Sequence, residues 1–341
     1  MGVLIIPDIL QRHAAAAGAE AWLDELPAVV RHLEQRWNIT VGGPFSGATE
    51  AYVVEATTGE GQAVVVKVLL PSNPNAARHE ITALRLADGE GCAALLRDDP
   101  ELGALLLERL GTSLFKLGLP VAQRLEILCD TVTPMWRAAP DCGLPTGADR
   151  ARRRGVFIAE TWEKLDRPCS EQAIDHALDC AHRRERAHDA ERAVLVHGDV
   201  HQLNALEAGE DFKLIDPDRV LAEAECDLGI LMRGDPVELL DGDPRQRARW
   251  LAARTGHDAT AIWEWGVIER VASGLPAKRS TSSHSVARRS LRSTPSPVST
   301  CRNPDRHPLR PFLINAADEA RQNCLIGILE EALSTLPLTN A

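Results

Sequence analysis

Residues 9–37 carry apolar side chains at helical spacing (Ile9, Ala14, Ala17, Trp22, Leu26, Val30, Leu33 and Trp37), which predicts one or two helices at the start of the chain. The texture changes at Thr40. Gly42, Gly43, Pro44 and Gly47 make a turn-rich approach to a β-prone run over 50–57, a Gly59/Gly61 turn and a second β-prone run over 62–70. Pro71 and Pro74 end this hairpin, and Asn75 can cap a helix to about Ala87 with Ala77, Ile81 and Leu84 on one face. Leu102–Leu107 reads as a short buried strand running into Glu108-Arg109-Leu110-Gly111.

Beyond Leu119 the spacing is mainly helical, over roughly 120–138, 157–165 and 170–190. A short strand, Val194–Val196, and a second hairpin (Ala205–Leu206 and Phe212–Ile215 around Gly209) interrupt it. Helices resume near 226, and the later part of that region carries Trp250, Trp263 and Trp265, whose place in an amphipathic stretch favours core packing. A final amphipathic helix is expected over about Ile314–Leu336.

Charge divides the chain. Of 38 Lys/Arg and 49 Asp/Glu, residues 277–312 hold eight basic residues and a single acid, Asp305. That stretch, rich in Ser, Thr and Pro, has little to bury and is expected to be disordered. The abrupt change of composition after Leu275 reads as a reading-frame change or an unrelated extension. The remaining body is strongly anionic, which disfavours nucleic acid and favours a cationic small molecule. No apolar run approaches the ~20 residues of a spanning helix, and Pro7 and Asp8 break the N-terminal apolar stretch, so a cytoplasmic protein without membrane attachment is expected. Eight scattered cysteines without a C-x-x-C pair read as core fillers in a reducing compartment.

The segment from Val194 to Asp216 carries the candidate chemistry. A strand delivers the chain to His197-Gly198-Asp199, Asn204 follows, and the second hairpin ends in Asp216. This order suits phosphoryl transfer: one carboxylate orients an acceptor hydroxyl, while an amide oxygen and a second carboxylate hold magnesium. His197 reads as a structural residue that fixes the loop. Upstream, Lys67 lies within Val64–Leu69, and burying an ammonium there demands an anionic partner, either nucleotide phosphates or Glu80. Gly43, Ser46 and Gly47 could cover phosphates with backbone N–H groups, and Glu108–Leu110 could offer backbone groups to an adenine edge.

Glycine-rich hairpin, Lys67, Glu80, HGDVHQLN (197–204) and LIDPD (214–218), in that order, resemble the aminoglycoside phosphotransferases. The Ile215-Asp216-Pro217 form is similar to the streptomycin kinase and hydroxyurea phosphotransferase branch, as are Ala248–Gly256 and Trp263–Leu275. The resemblance implies an α+β, protein-kinase-like two-lobed fold with a small antiparallel-sheet N-lobe and a mainly helical C-lobe. It implies an ATP- and Mg2+-dependent small-molecule kinase. Asp199 would be the catalytic base, Asn204 and Asp216 the magnesium ligands, Lys67 the clamp on the α/β-phosphates and Glu80 its orienting partner.

The expected layout is a nucleotide lobe over 1–110, a catalytic and acceptor lobe over 111–275, an Arg/Ser/Pro-rich stretch over 276–312 and a terminal helix over 313–341. A cationic aminoglycoside such as streptomycin would need carboxylates, for which Asp227, Glu264 and Glu269 are candidates. Two other classes fit parts of the pattern. His197, Asp199 and His201 form an H-x-D-x-H that could ligate zinc in a hydrolase, and an inactive or binding-only kinase-like protein would share the same motifs.

Overall fold

The structure, a computed structural model, describes residues 4–139, 142–235 and 243–290, with side chains as far as Pro276. The described residues fall into two compact units, one drawn from 1–146 and 190–224 and the other from 147–189 and 225–341. Backbone hydrogen bonds stitch the later hairpin to the first segment: Ala93 N–H to Leu214 C=O (2.8 Å), Leu214 N–H to Gly91 C=O (2.9 Å) and Gly111 N–H to Glu207 C=O (2.8 Å).

The first unit opens with helices α1 (Asp8–Ala16) and α2 (Glu20–Trp37). Strands β1 (Ile39–Pro44), β2 (Ala51–Thr58), β3 (Ala63–Leu69), β4 (Leu95–Asp99) and β5 (Ala104–Glu108) form one sheet in the order β1-β2-β3-β5-β4, with every neighbouring pair antiparallel. Helix α3 (Ala76–Ala87) lies between β3 and β4 in sequence. Strand β4 was not apparent in the sequence, because LLRDD is short and ends in charge. Leu26, Val30, Leu33 and Trp37 of α2 share one core with Tyr52, Val54, Val64, Val66, Val68 and Leu106 of the sheet. Alternation along β3 therefore commits Val64, Val66 and Val68 to that core and turns Lys67 to the opposite face.

A single-turn 3-10 helix (Leu114–Leu117) and helix α4 (Val121–Val132) follow, the latter ending where Pro134 enters another 3-10 turn. The unit is completed by β6 (Val194–Val196), β7 (Ala205–Ala208), β8 (Asp211–Leu214) and β9 (Val220–Ala222), with β6 paired to β9 and β7 to β8.

The second unit holds helices α5 (Gly147–Lys164), α6 (Glu171–Ala187), α7 (Glu225–Leu231), α8 (Arg245–Thr255) and α9 (Ala259–Ser290). Helix α5 begins ten residues before its expected start, since its first turns, ADRARRR, have a buried face that includes Arg150 and so show no apolar stripe. Ser170 caps α6 by accepting from Ala173 N–H (3.3 Å). Trp265 is a core residue, 1% exposed. Helix α9 continues past 276, through the first part of the stretch expected to be disordered, where Ala277, Lys278, Arg279, Ala287, Arg288 and Arg289 are good helix formers. The rest of that stretch and the expected helix over 314–336 lie outside the described residues. Among the described residues no helix is long and apolar enough to cross a membrane. Cys92, Cys129, Cys180 and Cys226 are buried.

Glu225, at the start of α7, accepts from Asp258 N–H (3.1 Å) and faces His257 Nδ1 at 3.4 Å. Burial works against its charge, but these partners outweigh it and pull the carboxyl down to about 2. Because the folded-state value lies below the unfolded one, the stabilisation is complete above about pH 4.5 and disappears as pH falls toward about 2. Glu225→Gln is therefore expected to flatten the fall of the urea midpoint with pH across that window. An unchanged acid slope would contradict this assignment.

Candidate active site

Lys67 sits at the centre of the sheet, opposite Val53 on β2 and Leu105 on β5, and is 7% exposed. Its Nζ donates to Glu80 Oε1 at 2.6 Å and to Asp216 Oδ1 at 2.7 Å. Burial opposes the ammonium, yet Asp216 and Glu80 together raise its pKa above the ordinary lysine value. Asp216 moves the other way, its carboxyl held below the usual range chiefly by Lys67, although half of its side chain remains open to solvent. The anionic partner demanded by a lysine in an apolar strand is thus both Glu80, on the helix after the hairpin, and an acid 149 residues away.

Glu80 is 2% exposed and uses both oxygens. Oε1 takes Lys67, while Oε2 faces Arg219 Nη1 at 3.3 Å, and the same Nη1 donates to Ala76 C=O at 3.3 Å. Arg219 was not singled out in the sequence. The need for it becomes visible only in the structure, where a buried carboxylate shares its one lysine with Asp216 and is otherwise undercompensated. Asp216 and Arg219 both adopt left-handed backbone (φ 59° and 60°), an uncommon state for non-glycine residues that fixes the turn leading to β9.

The β7–β8 hairpin brings the other predicted residues together. Ile215 N–H donates to Asn204 C=O at 2.9 Å, which sets Asn204 beside the residue preceding Asp216. Asn204 Nδ2 donates to the Asp199 carbonyl (3.1 Å) and to Asp199 Oδ2 (3.2 Å), committing the amide nitrogen and directing Oδ1 to the role of acceptor. His197 is fully buried: Nδ1 accepts Asp199 N–H (3.2 Å) and Nε2 faces Ile215 C=O (2.9 Å). Both ring nitrogens are occupied by backbone, so His197 cannot complete a zinc site with Asp199 and His201. Among the described residues no group of three or more His, Cys, Asp or Glu is placed to hold a metal ion.

Phe45 N–H donates to Val53 C=O (2.9 Å), pairing the start of the glycine-rich approach with β2. A Cβ added at Gly43 or Gly47 would meet nothing within 4 Å, and neither glycine has positive φ. The two glycines leave bare backbone beside open space; neither their conformation nor crowding by the chain requires them. Ser46 lies between them in the same loop. Glu108 spends its carboxylate on Ala94 N–H (2.6 Å) and Lys213 Nζ (2.6 Å), so its side chain is structural, and Leu110 is buried.

Asp227, Glu264 and Glu269 belong to the second unit and are buried. Glu264 pairs with Arg183 and with Arg184 (2.6 Å), and Glu269 with Arg150 (2.8 Å) and Arg154 (3.1 Å). Burial resists ionisation of Glu269, but its arginines prevail and lower its pKa. The structure gives Glu264 and Glu269 to arginines and not to an open surface, because a buried anion without a cation is too costly. The sequence could not show which arginines of α5 face inward.

Over residues 36–277 the chain matches the family described as aminoglycoside/hydroxyurea antibiotic resistance kinase. The chain belongs to that family. A segment of 103 residues is 37% identical to the hydroxyurea phosphotransferase of Kitasatospora aureofaciens, covering 30% of this chain and 29% of that protein. A segment of the same length is 37% identical to the streptomycin 6-kinase of Streptomyces glaucescens, covering 30% of this chain and 33% of that protein. The matched part therefore spans about a third of these relatives. Among solved structures, choline kinase LicA from Streptococcus pneumoniae superposes with a TM-score of 0.53 over 90% of this chain and 99% of that one, at 12% identity. The fold of this family member is the protein-kinase-like one, with an antiparallel-sheet N-lobe and a helical C-lobe.

Arg219→Met should lower stability by about 1–2 kcal/mol, since it leaves a buried carboxylate short of a cation. In a Glu80→Gln background the same change should cost much less, a coupling of ~1 kcal/mol measured by urea unfolding. Additive effects would mean that Arg219 does not act on Glu80.

Proposed function

We propose that the chain transfers the γ-phosphoryl group of ATP to a hydroxyl of a small cationic molecule, an aminoglycoside such as streptomycin, with magnesium as the metal. The observation that carries this reading is Lys67 Nζ lying 2.6 and 2.7 Å from Glu80 and Asp216, which unites the sheet, α3 and the end of the second hairpin around one amine. The donor set suits the metal: the Asn204 amide oxygen and the half-exposed Asp216 carboxylate are hard oxygen ligands. Magnesium, when bound, neutralises phosphate charge in transfers of this kind.

Lys67, already charged and held by two anions, turns its ammonium to the α/β-phosphates, and Glu80 keeps it oriented. Gly43, Ser46 and Gly47 cover the phosphates with backbone N–H groups, and the Glu108–Leu110 backbone meets the base. Asp199 orients the acceptor hydroxyl and accepts its proton at a carboxylate oxygen. The acids on the turn after β8, Asp216 and Asp218, add to Asp199 a negative field that attracts a cationic acceptor. The resemblance to streptomycin 6-kinase over 103 residues supports that acceptor class. The cytoplasm, where ATP is available, suits this reaction.

ATP consumption by the purified protein with streptomycin, other aminoglycosides and hydroxyurea, followed by the mass of the product, tests this function directly. A phosphorylated aminoglycoside is expected; absence of acceptor-dependent consumption across the panel would refute it. Asp199→Ala should lower turnover by about 10²–10⁴-fold while nucleotide affinity survives, and a mutant with near-normal turnover would remove Asp199 as base. Lys67→Ala should lower kcat/KM for ATP by about a hundredfold or more, and unchanged ATP kinetics would break the phosphate-clamp assignment.

A further inference from the structure

The loop from His197 to Leu203 uses one local device twice. Asp199 N–H donates to His197 Nδ1 at 3.2 Å, and Leu203 N–H donates to His201 Nδ1 at 3.2 Å. Each ring thus accepts a backbone N–H from two residues ahead, which leaves the proton of the neutral imidazole on Nε2. The two rings then diverge. His197 Nε2–H goes to the carbonyl of Ile215 and ties the loop to the end of the hairpin. His201 Nε2–H goes to Asp199 Oδ2 at 3.1 Å, the oxygen that also receives Asn204 Nδ2 at 3.2 Å.

We propose that His201 is a positioning residue for Asp199: with Asn204 it places two donors on Oδ2 and so fixes the plane in which the carboxylate is presented. The inference rests on the reading of Asp199 as the base. A carboxylate has a broad, soft terminal torsion, and a single donor leaves it free to swing. Two donors on the same oxygen, from His201 and from Asn204, define the direction of Oδ1. In a transfer that depends on alignment, an ångström of drift at the base is worth orders of magnitude in rate. His201 does not touch the reacting atoms; it acts through Asp199.

Two substitutions separate this role from simple loop structure. His201→Gln places an amide N–H where the imidazole Nε2–H lies and removes the acceptor for Leu203. His201→Asn keeps a heteroatom at the Nδ1 position and has no reach to Asp199. His201→Asn is expected to lower kcat about tenfold with the KM for ATP unchanged, whereas His201→Gln should remain within about threefold of the parent. Equal impairment of both variants, or a His201→Asn enzyme as fast as the parent, would overturn the proposal. Imidazole 15N spectra of the ligand-free protein give a readout independent of the acceptor: His201 should show an Nε2–H tautomer that shifts in Asp199→Asn. A spectrum unmoved by that change overturns the positioning contact even where Asp199→Ala abolishes turnover. Failure of the base reading would show separately, as turnover that survives Asp199→Ala.

Discussion

An ammonium group buried at the centre of a β-sheet is tolerable only if carboxylates come to meet it, and at Lys67 two do. Glu80 is delivered by α3, Asp216 by the turn after β8, and Arg219 from the same turn completes the balance on Glu80. Two cations and two anions therefore hold one another, and three separate stretches of chain must be in place for any of them to be satisfied. Desolvation binds the buried pair of this network most tightly, since removal of Lys67 or Glu80 strands the other in a poorly solvated place. The strain of left-handed backbone at Asp216 and Arg219 is maintained by the same contacts.

The residues of this network differ in how visible they are in the sequence. Lys67 stands out because lysine is scarce in this chain and an apolar strand is an improbable place for it. Asp199, Asn204 and Asp216 are legible because a strand, a loop and a hairpin present them in a fixed order. Arg219 escapes notice since its role depends on which acid lies opposite, a fact of three dimensions. Strands β4 and β9 are too short to leave a period. Helix α5 hides for the converse reason, as its buried face is partly arginine; Arg150 and Arg154 of that helix claim Glu269, while Arg183 and Arg184 of α6 claim Glu264. Charged residues that pair internally are indistinguishable in sequence from those that face a ligand.

The loop from His197 to Leu203 shows how little regular structure such an arrangement needs. Between β6 and β7, backbone N–H groups find imidazole nitrogens instead of carbonyls, and the rings pass their own protons on to a carbonyl in one case and a carboxylate in the other. A loop built in this way is held largely by side chains, which fixes the orientation of Asp199 without fully burying it.

Strand β3 carries a further implication. Val66 and Lys67 are adjacent, yet one belongs to the oily layer beneath α2 and the other to the ionic network on the far side. A slip of the β2–β3 pairing by a single step would exchange the two, sinking a charge into hydrocarbon and leaving a valine among acids. The tight bend at Thr58–Gln62, closed by Thr58 N–H to Gln62 C=O and Gly61 N–H to Thr58 C=O, therefore guards the ionic network as much as the shape, and a residue inserted there would be felt first at Lys67.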